Sequence, residues 1–360
     1  MDKMMENESK FYDGTELLSK MDSEGLPPEI YFVCSRTRSV GKTYWFCRKL
    51  FNDYLEKGEK MVLFCRNKLE LGSVAEGMFK AMLHHEFNDE YSMSESIQMK
   101  GVYSNVYVTK GVGDEQEKLH IGYVIPIASS DQIKRVSSLF SDATQGLFDE
   151  FQVESGTFLS DEVNRFLSIV TSISRGDGDT RRRFPIYFLS NKISVNNPYF
   201  MSTGLYKRIR PETKFCKMPG LVYQGIENEE IIDEHASAGI NRAFKGNDAI
   251  DFASLNWMND NYTCVEKPGN WGRAIYYATV VDGNHIWGIN YYPEQDLYYV
   301  GCKFDKTAGL TFNIKYDDMT PNIPLIRGSL YMRTLKSAME QGIVRFQTIK
   351  AKESFMDLFL

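Results

Sequence analysis

Gly41-Lys42-Thr43 stands between the apolar run "EIYFVC" and a helical pattern opening "TYWFC". Glycine, ammonium and hydroxyl in that order, at a strand-to-helix turn, are the tail of a phosphate-binding P-loop. The glycine admits close backbone approach, the lysine reaches terminal phosphates and the hydroxyl binds Mg²⁺. The predicted cradle runs Arg36, Thr37, Arg38, Ser39, Val40, Gly41, Lys42, Thr43, with Arg36 where the pattern has its first glycine. Taken alone, this stretch fits either a phosphate cradle or a chance tripeptide at a helix start.

Two further clusters bear on that choice. "GLFDEF" sets Asp149 and Glu150 at the end of an apolar stretch. Hydrolysis of a nucleoside triphosphate needs one acid at a strand's end to hold Mg²⁺ and a neighbour to activate the attacking water, and Asp149 and Glu150 fit those roles in that order. Gln145 and Gly146 are unexpected before them, where aliphatic residues are the rule. "FPIYFLSN" closes on Ser190-Asn191, and Asn191 suits a γ-phosphate sensor. Strand–GKT, strand–DE and strand–SN in this order favour an ATPase using ATP and Mg²⁺. Arginines able to reach a neighbouring subunit's γ-phosphate are Arg175, just past the helix that follows Glu150, and Arg181, Arg182 and Arg183 before the sensor strand. Lys134 and Arg135 are similar candidates.

The elements that must position these groups alternate. "EIYFVC", "KMVLFC" and "FPIYFLSN" read as buried strands. "TYWFCRKLFNDYLEK", stopped at Gly58, reads as a helix with Trp45, Leu50 and Tyr54 on its apolar side. "SDEVNRFLSIVTSISRG" predicts another helix, capped by Ser160, with Val163, Phe166, Leu167 and Val170 facing inward. "SIQMKGVYSNVYVTKG" and "LHIGYVIPIAS" alternate with period two, as hairpin strands do. Strands alternating with helices predict an α/β domain with a mostly parallel sheet over residues 1–200. Residues 201–260 mix charge and turn residues, including "ENEEIIDEH", and are expected to form a linker or lid subdomain. From residue 261 to 360 the chain is strand-rich and closes on "GSLYMRTLKSAMEQG", which predicts an α+β domain.

With 360 residues, 42% of them hydrophobic, the chain is long enough for two cores. A net charge of −6 argues against coating nucleic acid with the whole surface, but leaves a locally basic pore open. Six scattered cysteines without a CxxC pair read as reduced thiols. No apolar run reaches spanning length and the acidic N-terminus is unlike a secretory signal, so no membrane partner is expected.

The string "LFDEF … SDEVNRFLSIV … LSNKISVNNPYF", and more weakly the whole chain, resembles the DNA-packaging ATPases of small protein-primed tailed phages, relatives of terminase large subunits. The resemblance implies an additional-strand, RecA-like P-loop ATPase domain, a short linker domain and a vestigial RNase H-like C-terminal domain. It also implies a ring, usually a pentamer, that sits at the portal of a procapsid in the host cytoplasm, is absent from the mature virion, and drives double-stranded DNA inward. A portal or connector protein, and in some cases a packaging RNA, would be its partners. By motif position, Lys42 and Thr43 match the Walker A pair, Asp149 and Glu150 the Walker B pair, Asn191 the sensor, Arg175 a trans-acting finger, and Arg135 or Lys134 a second trans-acting basic residue. Lys68, Lys110 and Lys134, read as loop residues, are candidate DNA contacts. The C-terminal acids Asp282, Glu294 and Asp296 lie near turns, so an inactive nuclease is expected. Two other readings are a RecA-like helicase unconnected with capsids, and a scaffold that binds nucleotide without hydrolysing it.

Overall fold

The computed structural model describes residues 11–36, 39–111, 116–153, 158–159, 161–175, 182–192, 195, 197–210, 212–231, 239, 265–266, 269–282, 285–305, 307, 310–314, 323–326, 329–340 and 343–356. Thr37, Arg38, Ser160 and Arg181 fall outside them. The chain divides into two compact units, one of Met1–Ile193 with Lys207–Trp257, the other of Ser194–Tyr206 with Met258–Leu360.

The first unit is a mixed α/β fold with a parallel sheet at its centre. Its strands are β1 (Ile30–Ser35), β2 (Lys60–Cys65), β3 (Tyr91–Gln98), β4 (Tyr103–Lys110), β5 (Glu117–Pro126), β6 (Ala143–Asp149), β7 (Ile186–Asn191), β8 (Phe215–Met218) and β9 (Leu221–Ile226). They lie in the order β3-β4-β5-β2-β6-β7-β1-β9-β8. From β5 to β9 every pairing is parallel, while β3, β4 and β8 pair antiparallel at the two edges. Five of the six residues of β1 and β2 are buried, as strands covered on both faces require. The Lys42–Lys57 helix covers one face with Trp45, Phe46, Cys47, Leu50 and Phe51, and ends on Gly58 at φ 70°.

Phe215–Met218 and Leu221–Ile226, read from sequence as part of a linker, are sheet strands. Gln224 and Gly225 hide β9 from a hydrophobicity reading, yet both are buried: Gln224 accepts a hydrogen bond from the Tyr12 hydroxyl at 2.8 Å. The Glu162–Ile173 helix is also rotated from expectation. Phe166, Ile169, Val170 and Ile173 face inward, and Leu167 is exposed.

Gln145 and Gly146 have local reasons. Gln145 accepts from Lys49 Nζ at 2.6 Å and donates to Asp53 at 3.2 Å, so its polar end is satisfied beneath the sheet. A Cβ on Gly146 would lie 2.7 Å from the Phe64 ring and 3.1 Å from that of Phe184. Those rings occupy the space an aliphatic side chain would fill. Gly146→Val should therefore destabilise by about 1–3 kcal/mol through overpacking, read as a lower chemical-denaturation midpoint.

The second unit holds a separate sheet of β10 (Ile275–Asp282), β11 (His285–Tyr292), β12 (Leu297–Gly301), β13 (Thr311–Asn313) and β14 (Val344–Phe346), ordered β13-β10-β11-β12-β14. β10, β11 and β12 form an antiparallel meander, with β13 and β14 added parallel at its edges. The helices Leu330–Glu340 and Ile349–Met356 supply Leu335, Ala338, Ala351 and Phe355 to its core. Among the described residues, no group of three or more His, Cys, Asp or Glu is placed to hold a metal. Likewise none of their helices is long and apolar enough to cross a membrane.

Candidate functional site

β7 lies between β6 and β1, so the carboxyl ends of all three open on one cleft. Ser35 at the end of β1 pairs in register with Asn191 of β7, and Asp149 of β6 with Leu189. Ser39, Val40, Gly41, Lys42, Thr43, Tyr44, Asp149, Glu150, Ser190 and Asn191 line a cleft of about 270 Å³ there. Residues far apart in the chain are thus brought together by strand order alone.

The turn explains why Arg36 is tolerated. Its backbone N–H donates to Ile226 O at 3.0 Å, extending the β1–β9 ladder. Left-handed backbone is needed later, at Ser39 (φ 62°) and Gly41 (φ 88°). A Cβ at Arg36 meets no such demand, whereas one at Gly41 would be strained. The turn is also held from outside. Tyr12 N–H donates to Val40 O at 2.8 Å, and its ring packs on Trp45 and Phe46 at 5.9 and 6.1 Å between centroids.

Lys42 is buried and donates to the Ser35 hydroxyl, which in turn donates to Asn191 Oδ1 at 3.4 Å. Burial pushes its ammonium down to about 8, with the Asp149 carboxylate the leading opposing influence. Asp149 Oδ2 accepts from the Thr43 hydroxyl at 2.6 Å and Oδ1 from the Glu150 N–H at 2.9 Å. Burial raises the Asp149 carboxyl above its ordinary range, against the pull of Thr43 and Lys42. Adjacent hydroxyl and carboxylate oxygens are the hard donors Mg²⁺ prefers, so the donor set fits that ion. Cys34 lies beneath the turn, its thiol pushed up to about 11 by burial, and is unsuited to thiolate chemistry.

A lysine with a depressed pKa penalises the folded state wherever it is charged. That penalty is full below about pH 8 and disappears as pH rises towards the unfolded value of 10.5. Without nucleotide, Lys42→Met should accordingly melt above wild type at pH 7. The gap should narrow between pH 8 and 10, as differential scanning fluorimetry would show.

The remaining predicted residues lie elsewhere. Arg36, Arg135, Arg175, Lys68, Lys110 and Lys134 do not line the cleft. Arg175 is exposed, one residue beyond the cap of the Glu162–Ile173 helix. Arg182 donates to Phe140 O and Ile173 O, and Arg183 to Pro28 O at 2.7 Å, so both hold backbone within the unit. Lys110 and Lys134, read as loop residues, instead end β4 and the last turn of the Ser130–Arg135 helix. Both are exposed and ion-paired, Lys110 with Glu90 at 3.3 Å and Lys134 with Asp131 at 3.8 Å. Lys68 is exposed in the Lys68–Glu70 turn.

Missed from sequence was Arg66, just past β2. Its guanidinium meets the buried Glu162 carboxylate at 2.9 and 3.0 Å and donates to Phe151 O at 2.8 Å. An arginine directly after a buried strand was the available signal.

Fold and cleft together define a mixed α/β protein whose parallel sheet delivers a lysine, two carboxylates and an asparagine amide to one cleft. The chain belongs to the Podovirus DNA encapsidation protein (Gp16) family, which it matches over residues 5–360. Its function is the encapsidation of viral DNA. It is 22% identical over 328 residues to the DNA packaging protein of Bacillus phage PZA, covering 89% of this chain and 91% of that one. Its fold resembles the Phi-28 gp11 DNA packaging motor (TM-score 0.60, 19% identity, 97% of this chain and 96% of that one). It also resembles the bacteriophage Phi-29 viral genome packaging motor assembly (TM-score 0.52, 20% identity, 97% and 99%).

Proposed function

We propose that this chain hydrolyses ATP with Mg²⁺ and couples each turnover to movement of double-stranded DNA into a procapsid. The observation that carries this is the meeting of Lys42, Thr43, Asp149, Glu150 and Asn191 in one cleft. In this reading the first unit is an additional-strand P-loop ATPase, supported by the placement of β7 between β6 and β1. The second is a vestigial RNase H-like domain, supported by its mixed sheet around an antiparallel meander.

On this reading the turn's N–H groups and Lys42 bind the phosphates, and Lys42 leaves Ser35 to do so. Thr43 and Asp149 hold Mg²⁺, which neutralises charge on the phosphates. Glu150 orients and activates water, and Asn191 contacts the γ-phosphate. Exposed Arg175, and Arg135 or Lys134, act on a neighbour's nucleotide in a homomeric ring, taken as a pentamer. That ring docks on the portal protein, directly or through an RNA, in the host cytoplasm and leaves before the virion matures. Lys68, Lys110 and Lys134 are the candidate phosphate contacts to DNA.

The test is ATP turnover with and without duplex DNA at rising salt. Turnover should be DNA-stimulated, and log affinity for DNA should fall linearly with log salt, by about 0.9 for each phosphate neutralised. ATP binding without turnover under any condition would replace the motor by a scaffold. A flat salt response would overturn phosphate-backbone tracking.

A further inference from the structure

We propose that the Arg66–Glu162 pair is a clasp that positions Glu150, making Arg66 a positioning residue for hydrolysis although it lies outside the cleft; this rests on the reading of Glu150 as the water-activating group. Glu150 sits at φ 51°, in the left-handed region that only glycine enters without strain. Such a conformation persists where the flanking backbone is fixed, and here it is fixed on both sides. Before it, the Asp149 carboxylate accepts the Glu150 N–H at 2.9 Å. After it, Phe151 N–H donates to Leu189 O at 3.3 Å, and Phe151 O accepts from Arg66 at 2.8 Å.

Arg66 is itself held in place. Glu162 takes two of its N–H groups, and the same carboxylate accepts the Leu159 N–H at 2.8 Å. The guanidinium also lies 5.4 Å from the centroid of the Phe148 ring. One planar cation thereby ties the end of β2 to the backbone after Glu150 and to the start of the next helix. The Phe151 side chain is fully buried, so its main chain has little freedom once both polar groups are bonded.

Lysine keeps the charge of Arg66 but cannot present a planar fork to Glu162 while also reaching Phe151 O. Arg66→Lys should lower kcat roughly 10- to 100-fold, as expected when a reacting group is displaced by about 1 Å, with ATP affinity essentially unchanged and the melting temperature lowered, because the buried Glu162 carboxylate and Phe151 O lose hydrogen bonds. In a Glu150→Gln background it should cause no further loss, because the two changes act through one carboxylate. Amide hydrogen exchange at Phe151 should accelerate in Arg66→Lys whether or not the protein turns over ATP. Unchanged exchange overturns the clasp. Faster exchange with unchanged kcat, or an equal further loss in the Glu150→Gln background, overturns its role in positioning. A wild-type protein that never hydrolyses ATP overturns the reading of Glu150 instead, and the exchange result still decides whether the clasp exists.

Discussion

Glu150→Gln is expected to lower ATP turnover roughly 10²–10⁴-fold, the usual contribution of a positioned general base, while equilibrium binding of ATP stays close to wild type. The substitution preserves shape while removing the carboxylate's charge and its ability to take a proton. Both residues carry the same backbone cost at φ 51°, so the comparison is not confounded by relief of strain. Binding should survive because Lys42, Thr43 and the turn that lines the cleft before them are untouched. Steady-state phosphate release, set beside the affinity of a fluorescent ATP analogue, separates the two effects. Turnover within a few-fold of wild type would place the base elsewhere.

The second large effect concerns Arg175. Arg175→Ala should cost roughly 10³–10⁵ in turnover if it acts as an arginine finger. Mixing inactive Arg175→Ala with inactive Lys42→Ala subunits should then restore part of the activity. A Lys42→Ala subunit keeps its Arg175 and can serve the intact cleft of a neighbour. The geometry favours Arg175 over Arg182 and Arg183. It is exposed beyond its helix, whereas Arg182 and Arg183 are turned onto backbone carbonyls. No restoration at any mixing ratio would remove it from this role.

That Lys42, Thr43, Asp149, Glu150 and Asn191 share one cleft was legible because each cluster ends an apolar run, and the ends of parallel strands share one edge of a sheet. What could not be read was spread across the chain. β9 was hidden by Gln224, a polar residue whose partner Tyr12 lies 212 positions away. Gln145 and Gly146 looked like faults in a strand until Lys49, Asp53, Phe64 and Phe184 were seen around them. Arg66 and Glu162 are 96 residues apart, and neither sits in a local pattern that announces the other. The helix after Glu150 was found, but its inward face was misjudged, because Leu167 and Ile169 offer equal hydrophobicity and only tertiary packing separates them.

The neighbours of β1 carry a consequence for biosynthesis. On its two sides β1 pairs with Ile186–Asn191 and Leu221–Ile226. On the ribosome it therefore emerges with both edges bare, and it stays so until more than half the chain has been made. Until Asn191 has been made, a nascent polypeptide of this kind lacks part of the cleft lining. It also presents an apolar strand edge for the whole interval, which makes early synthesis the period of greatest need for chaperones.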